Sequence, residues 1–479
     1  MTETPRYVQT LSELSRQIHH GTLSPVDLTE EVLGRIEALD GTLQAFRHLT
    51  RERALAEAQA AELALRAGHD VGPLHGIPYA AKDLIDVKGL PTTAGSNLLQ
   101  DAIAAEDSAV TAKLAQVGMI LLGKTNTVQF AYGGVGINHH QGTPHNPWQA
   151  THCVPGGSSS GSAVAVAAGM ACMALGSDTG GSVRIPASLC GTVGLKTTVG
   201  QVSRTGVFPL SWSLDSVGPL TRSVEDAALV YQCIRGRDER DTSTHGIKPQ
   251  DVLLGLKDGV RSLRLAFAET IFWDQAEAEV VQAVRRCGDV LADLGAQVSS
   301  IPFAEAEEAL ALNPRGLVIA AEAYTLHQHR IEAHFEEYDP IVGQRMIQGK
   351  HITASEYLNT IRAWERLRSK VCNTLRDVDA LLVPTTMIPA KPVHEVDASM
   401  DVYSQYNLQY LRNTSIGNTL NLCGLSVPCG FTSAGLPIGL MIYGKPFQED
   451  VILRVGYAYE QASEWHERTP DLSWILSPA

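Results

Sequence analysis

Two short runs and one lysine hold residue types from which a nucleophilic centre could be built. Residues 154–162 read VPGGSSSGS and residues 174–182 read ALGSDTGGS. Ser158 and Ser182 are each preceded by Gly-Gly, which lets the backbone approach another group closely. Successive backbone N–H groups in DTGGS could converge on an oxyanion. A lone serine is a poor nucleophile and needs a base. Neither run contains a histidine, and no G-x-S-x-G elbow surrounds either serine. Lys82, in GIPYAAKDLID, is the remaining candidate. Desolvation in this mostly apolar stretch would lower its pKa and leave neutral amine to accept a proton. The competing reading puts Lys82 at the surface or in a salt bridge with Asp83 or Asp86.

Other uses of the Gly/Ser run fail on spacing. A phosphate loop needs G-x-x-x-x-G-K-[ST], whereas residues 194–197 are GLKT with Leu195 between Gly and Lys. PGGSSSGS lacks the G-x-G-x-x-G spacing of a dinucleotide site. A flexible linker would not run straight into the Ala-rich segment 161–176.

The elements that must position these residues follow from periodicity and caps. Ser24 caps a helix over 24–39 with Pro25 in its first turn, and Leu28, Val32, Ile36 and Leu39 share one face. Residues 50–67 and 107–118 read as helices and 119–126 as a buried strand. Residues 161–176 begin as a helix and end as a strand. Strands are expected at 261–269, 295–301 and 378–386, with a helix near 274–294 between the first two. A strand pair is expected at 426–432 and 437–445, and a last helix after Glu449. Residues 315–376 read as mainly helical, a subdomain or cap that would gate substrate entry. Alternating helices and strands with few charges point to an α/β fold, a sheet covered on both faces. One mixed domain over 1–479 fits better than two, with an N-terminal helical layer over 1–70.

Composition narrows the function classes. The 479 residues are 44% hydrophobic and 19% charged, enough for a large core and unlike a disordered chain. A net charge of −14 argues against a broad nucleic-acid-binding face. None of the eight cysteines forms Cys-x-x-Cys, so neither a zinc site nor a disulfide scaffold is expected. No apolar run reaches about 18 residues, the membrane-span threshold, and the N-terminus does not read as a signal peptide. The expectation is a reduced, cytoplasmic, soluble protein with no metal and no cofactor. His139, His140, His145 and His152 read as surface-loop histidines.

Residues 156–198, GGSSSGSAVAVAAGMACMALGSDTGGSVRIPASLCGTVGLKTT, closely resemble the signature region of the amidase signature family of serine hydrolases. The likeness extends through 76–96, 121–134, NPW at 146–148, SLDSVGPLTRSVEDAALV at 213–230 and 426–450. It covers roughly the whole chain, most specifically a signature core over 75–230. It implies the amidase signature fold, with a central mixed β-sheet, and hydrolysis of a carboxamide to a carboxylate plus ammonia or amine. Ser182 would be the nucleophile and Ser158 a bridging serine, with a cis peptide bond from Gly157. Lys82 would be the base, and the backbone N–H groups of Thr179, Gly180, Gly181 and Ser182 the oxyanion hole. Ser159 and Asp178 would support the site, Asp178 by orienting the turn, and Arg184 would be structural. The one departure is Ser160, where the family pattern has glycine.

For the substrate pocket the resemblance suggests Phe130, Tyr132, Gly133 and Gly134, while Phe130 and Tyr132 read equally well as core aromatics. Tyr403, Tyr406, Asn407 and Tyr410 form an exposed-looking aromatic run that would line the pocket or pack a loop. Arg412 is a pocket candidate or an ordinary salt-bridge partner. An aryl or alkyl amide is the favoured small-molecule substrate. The alternatives are the amidase subunit of a glutamyl/aspartyl-tRNA amidotransferase, a hydrolase of a carbamate or of a urea-like compound such as biuret or allophanate, and a non-catalytic scaffold. A homodimer is implied; nucleic-acid and membrane partners are not.

Overall fold

The computed structural model describes residues 5–476. Eleven strands form one sheet: β1 (Phe46–Leu49), β2 (Pro78–Lys82), β3 (Ile120–Thr125), β4 (Met173–Asp178), β5 (Val193–Lys196), β6 (Ser216–Thr221), β7 (Arg264–Ala268), β8 (Gln297–Ile301), β9 (Ala380–Pro384), β10 (Cys423–Phe431) and β11 (Pro437–Gly444). Their spatial order is β1-β3-β2-β4-β6-β5-β10-β11-β9-β7-β8. β2 runs parallel to β3 and β4, and β7 parallel to β8 and β9; the other pairings are antiparallel. The sheet is therefore mixed, as expected.

Every residue of β2, β3, β4, β5, β6, β9 and β11 is buried, while the edge strand β8 is largely exposed. Burial on alternate side chains alike means that both faces of the central strands are covered, which is why they read as continuous apolar runs rather than alternating ones. The expected helices and strands occur with small shifts at their ends. Ser24 caps Pro25–Leu43 by accepting from the Val26 and Asp27 amides, and the strand pair at the end of the chain is the β10–β11 hairpin. Residues 317–374 are largely helical: Leu317–His334, Pro340–Ile347 and Ala354–Thr374.

Two expectations need correction. The aromatic run at 403–410 is neither exposed nor a loop: it lies in the Met400–Thr419 helix, with Tyr403, Asn407 and Tyr410 buried. Its apolar stripe is obscured because buried Asn407, Asn413, Thr414 and Asn418 share the core side, and each is satisfied by a hydrogen bond. Of the histidines at 139–152, His145 departs from the surface-loop reading, whereas His139 and His152 are exposed. His145 is buried against His152 and Trp474. His139 lies between Asp339 at 2.7 Å and Asp397 at 3.1 Å, and hydrogen bonding to Asp339 raises its pKa to about 9.

Candidate active site

Lys82 is the last residue of β2 and Asp178 the last of β4, and these strands are parallel neighbours. The site therefore lies at the carboxyl ends of parallel strands, where α/β sheets open into crevices. Between the two strands the chain passes through Ser158, Ser159 and the Ser160–Ala167 helix; after β4 it turns through 179–183 into the Arg184–Cys190 helix. Both segments are buried, and the Ser159 amide donates to the Ser182 carbonyl at 3.1 Å. That bond holds the two serine-bearing turns side by side. The Gly157–Ser158 peptide is cis.

Lys82 is fully buried, and its Nζ donates to Ser158 Oγ at 2.8 Å and Ser177 Oγ at 3.0 Å. Neither Asp83 nor Asp86 pairs with it. Asp83 instead pairs with Lys124 at 3.0 Å and accepts from Thr93 at 2.5 Å. Burial lowers the Lys82 pKa to about 7, while Asp178 and Asp215 pull it the other way. A buried lysine bonded to hydroxyls rather than to a carboxylate has the environment of a neutral-amine base, the reading that the sequence left undecided. Ser177 was missed because nothing in ALGSD marks which strand residue faces the lysine.

Asp178 organises the turn before Ser182. Its carboxylate accepts from the Gly181 amide at 2.9 Å, the Val183 amide at 3.1 Å, Arg184 Nε and Nη2, and Asn418 Nδ2. Burial would raise its pKa, but Arg184, Lys196 and Asn418 outweigh burial and hold it well below the carboxylate range. Arg184 is completed by Tyr443 and Asn418, so this buried ion pair is fully hydrogen-bonded. Gly181 has φ +138°, and a Cβ there would lie 2.1 Å from Thr414 Oγ1. Only glycine fits that step. Of the four amides expected to face an oxyanion, that of Gly181 donates to Asp178, which leaves those of Thr179, Gly180 and Ser182. None of these three has an acceptor among the described residues. Ser159 exchanges hydrogen bonds with the Ser177 backbone. Ser160 Oγ is buried with no hydrogen-bond partner among the described residues.

A pocket of about 280 Å³ reaches Ser177 and Thr179. Phe208, Leu210 and Trp212 supply apolar walls, and Asp215 and Arg204 supply charge. Ser158 and Ser182 do not line it, nor do Phe130, Tyr132, Gly133, Gly134, Tyr403 or Arg412; Ala131 does. Those side chains are engaged elsewhere. Phe130 packs on Phe208, His327 and Tyr338, and Arg345 lies over Tyr132 at 4.2 Å. Gly134 donates to Asn407 and accepts from Gly157, and the Tyr403 hydroxyl packs against Gly133. Arg412 is not in a salt bridge; it donates to Asn413 Oδ1 and the Phe272 carbonyl. Phe130 and Ala131 both have positive φ, near 51° and 59°. Such a strained pair is costly for side-chain-bearing residues and is a feature of functional turns. Lys196, in the rejected GLKT run, is buried on β5 and donates to the Thr197 and Leu422 carbonyls.

Among the described residues no group of three or more histidine, cysteine, aspartate or glutamate side chains could hold a metal ion, and no helix is long and apolar enough to cross a membrane. All eight cysteines are free thiols.

Comparison with known proteins places these features in context. The family model Amidase matches residues 27–453. A 2-amino-5-chloromuconic acid deaminase of Comamonas testosteroni is 37% identical, covering 94% of this chain and 95% of its own. A glutamyl-tRNA(Gln) amidotransferase subunit from Geobacter sp. (strain M21) is 35% identical over 95% of this chain and 98% of its own. The peptide amidase of Stenotrophomonas maltophilia superposes with a TM-score of 0.80 at 32% identity, covering 95% of this chain and 96% of that one.

Proposed function

The chain belongs to the amidase family and is an amide-hydrolysing enzyme, and from that premise we propose that Ser182 is its nucleophile, Ser158 its proton carrier and Lys82 its base. The observation that carries these assignments is the buried Lys82 Nζ, 2.8 Å from Ser158 Oγ and with a pKa drawn down to about 7. Near neutral pH such a lysine exists in both protonation states, which suits a group that must accept a proton and then return it.

Ser182 Oγ attacks the amide carbonyl carbon as its proton passes to Ser158 Oγ, whose own proton passes to Lys82 Nζ. The oxyanion meets the amides of Thr179, Gly180 and Ser182, oriented by a turn that Asp178 and Arg184 hold in place. The C–N bond then breaks. The nitrogen leaves with a proton returned from Lys82 through Ser158, and Ser182 is left as an ester. Water, deprotonated by the same route, releases the carboxylate.

The favoured substrate is an aryl or alkyl amide. Phe208, Leu210 and Trp212 beside Thr179 support this, an apolar pocket that a ring or short chain would fill. Release of ammonia or amine from a panel of primary, aryl and N-alkyl amides, glutamine, biuret and a carbamate, run beside Ser182→Ala, tests the assignment. Turnover by the wild type that disappears in the variant is expected, and retained turnover in the variant would remove Ser182 from the role. A second reading, an amidotransferase component that needs a partner, is favoured by the 35% identity to such a protein over nearly its whole length. It predicts glutaminase activity that appears only when partner proteins are added. Free thiols at all eight cysteines fit a cytoplasmic protein, and sedimentation would test the homodimer that the family likeness suggests.

A further inference from the structure

Asp215 is a buried carboxylate that the relay above does not use, although it lines the pocket and lies next to the turn that carries the nucleophile. It precedes β6, and Ser216, the first residue of that strand, pairs with Asp178. One carboxylate oxygen accepts from Thr179 Oγ1 at 2.5 Å; the other accepts from the Leu210 and Ser211 amides, each at 2.9 Å. Three donors converge on one side chain, the arrangement that favours an ionised acceptor, and they offset part of the burial that raises the Asp215 pKa above the usual carboxylate value. The segment it holds is anchored from the far side by Glu322 of the Leu317–His334 helix. Glu322 accepts from the Ser211 hydroxyl, from the amide and hydroxyl of Ser213, and from the Tyr357 hydroxyl.

We propose that Asp215 is a positioning residue for amide hydrolysis, fixing the Thr179 end of the oxyanion-binding turn to the pocket rim and supplying negative charge that acts on Lys82. The inference rests on the assignment of Ser182, Ser158 and Lys82 and goes beyond it. Thr179 contributes its backbone N–H to the oxyanion, so a shift of a few tenths of an ångström in that turn weakens a bond that matters most in the transition state. Holding the Thr179 side chain from the pocket wall prevents that shift. Lys82 Nζ bonds Ser177, and Ser177, Thr179 and Asp215 line the same pocket, so Asp215 joins Asp178 as a carboxylate whose charge favours the Lys82 ammonium form. Asp178 is neutralised by the Arg184 ion pair. Asp215 has only Thr179, two amides and the more distant Arg204, itself paired with Asp241. Asp215 is therefore the less compensated of the two.

Two variants separate the two effects. Asp215→Asn keeps the shape, and its amide can face oxygen towards Leu210 and Ser211 and NH₂ towards Thr179 Oγ1; the contact with Thr179 survives with its direction reversed, and the charge is lost. Thr179→Val keeps the charge and the backbone N–H and removes the bond to Asp215. With D215N the neutral form of Lys82 becomes easier to reach, so the acid limb of the kcat–pH profile moves to lower pH. With T179V, kcat falls about tenfold or more while KM stays within about twofold, the signature of an interaction made in the transition state, and the acid limb stays where it was. An acid limb of D215N at its wild-type position, or a T179V enzyme with wild-type kcat, overturns the proposal. Should D215N fail to fold, as its melting curve would reveal, the kcat of T179V decides alone. Ser182→Ala run alongside keeps the two levels apart. Turnover surviving in S182A defeats the nucleophile assignment, whereas a dead S182A beside wild-type behaviour in D215N and T179V defeats only the role of Asp215.

Discussion

Two buried cations flank the turn 178–182, and they are treated in opposite ways. Arg184 meets Asp178 in a bidentate pair and is completed by Tyr443 and Asn418. Burial works against its charge, but Asp178 and Tyr443 outweigh it, and its pKa is raised. Lys82 is equally buried but touches only the hydroxyls of Ser158 and Ser177, and burial brings its pKa to about 7. The difference lies in partners rather than in depth. A buried cation given a carboxylate becomes a fixed anchor; one given only hydroxyls becomes a group able to change charge. The turn carrying Ser182 thus has a fixed anchor on one side and a lysine able to change charge on the other.

The largest effect should come from removing the labile side. Lys82→Met leaves Ser158 without its acceptor, and kcat should fall by about 10³-fold or more, within the range for loss of a general base together with the nucleophile it activates. Initial rates on the best amide of the panel measure this, and a variant with wild-type kcat would break the comparison. Removing the anchor should act on folding instead. Arg184→Met strands the Asp178 carboxylate, and urea unfolding should show a loss of about 3–5 kcal/mol. A stability change under about 1 kcal/mol would mean that the pair is not the anchor it resembles.

A smaller effect sharpens the substrate side. Trp212→Ala opens an apolar wall of the pocket, and kcat/KM for an aryl amide should drop about tenfold relative to that for a short primary amide, the scale of lost apolar contact. Equal losses on both would place the ring elsewhere. The mildest perturbation is pH itself. If neutral Lys82 is the reactive form, kcat/KM of the wild type is low below its pKa of about 7 and rises to a plateau above it. A flat profile between pH 5 and about pH 9 would mean that Lys82 does not titrate in the free enzyme.

Seven of the eleven strands were legible in the sequence because buried strands read as unbroken apolar runs, and helix caps are local, as at Ser24; β1, β2, β5 and β6 were not, being short or interrupted by glycine, proline or charge. Ser158, Ser182 and Lys82 could be singled out as candidates because their Gly-Gly and Lys-Asp contexts are contiguous. Partners supplied from far along the chain were not. Ser177 lies within an apolar strand, and Asp215 stands in a quoted motif, SLDSVGP, whose letters do not reveal that its carboxylate reaches Thr179. Tyr403 and Tyr410 were misplaced because the helix carrying them buries asparagines and threonines beside them, breaking the apolar period. The packing of Phe130 and Tyr132 was not legible for a related reason. Phe130 and Tyr132 are taken up by His327, Tyr338 and Arg345, residues about two hundred positions away. That the Gly181 amide answers Asp178 was not legible either, because the bond forms only once the turn is folded.

The central claim is that the amide is cleaved through an ester at Ser182, and acid-quenched peptide mass mapping tests it most directly. Wild-type enzyme is mixed with a slowly turned-over amide from the panel, quenched within the first turnovers and digested. The account predicts an acyl group on Ser182 and none on the corresponding peptide of Ser182→Ala. An acyl group on Ser158, or steady turnover with no acylated serine at any quench time, would contradict it.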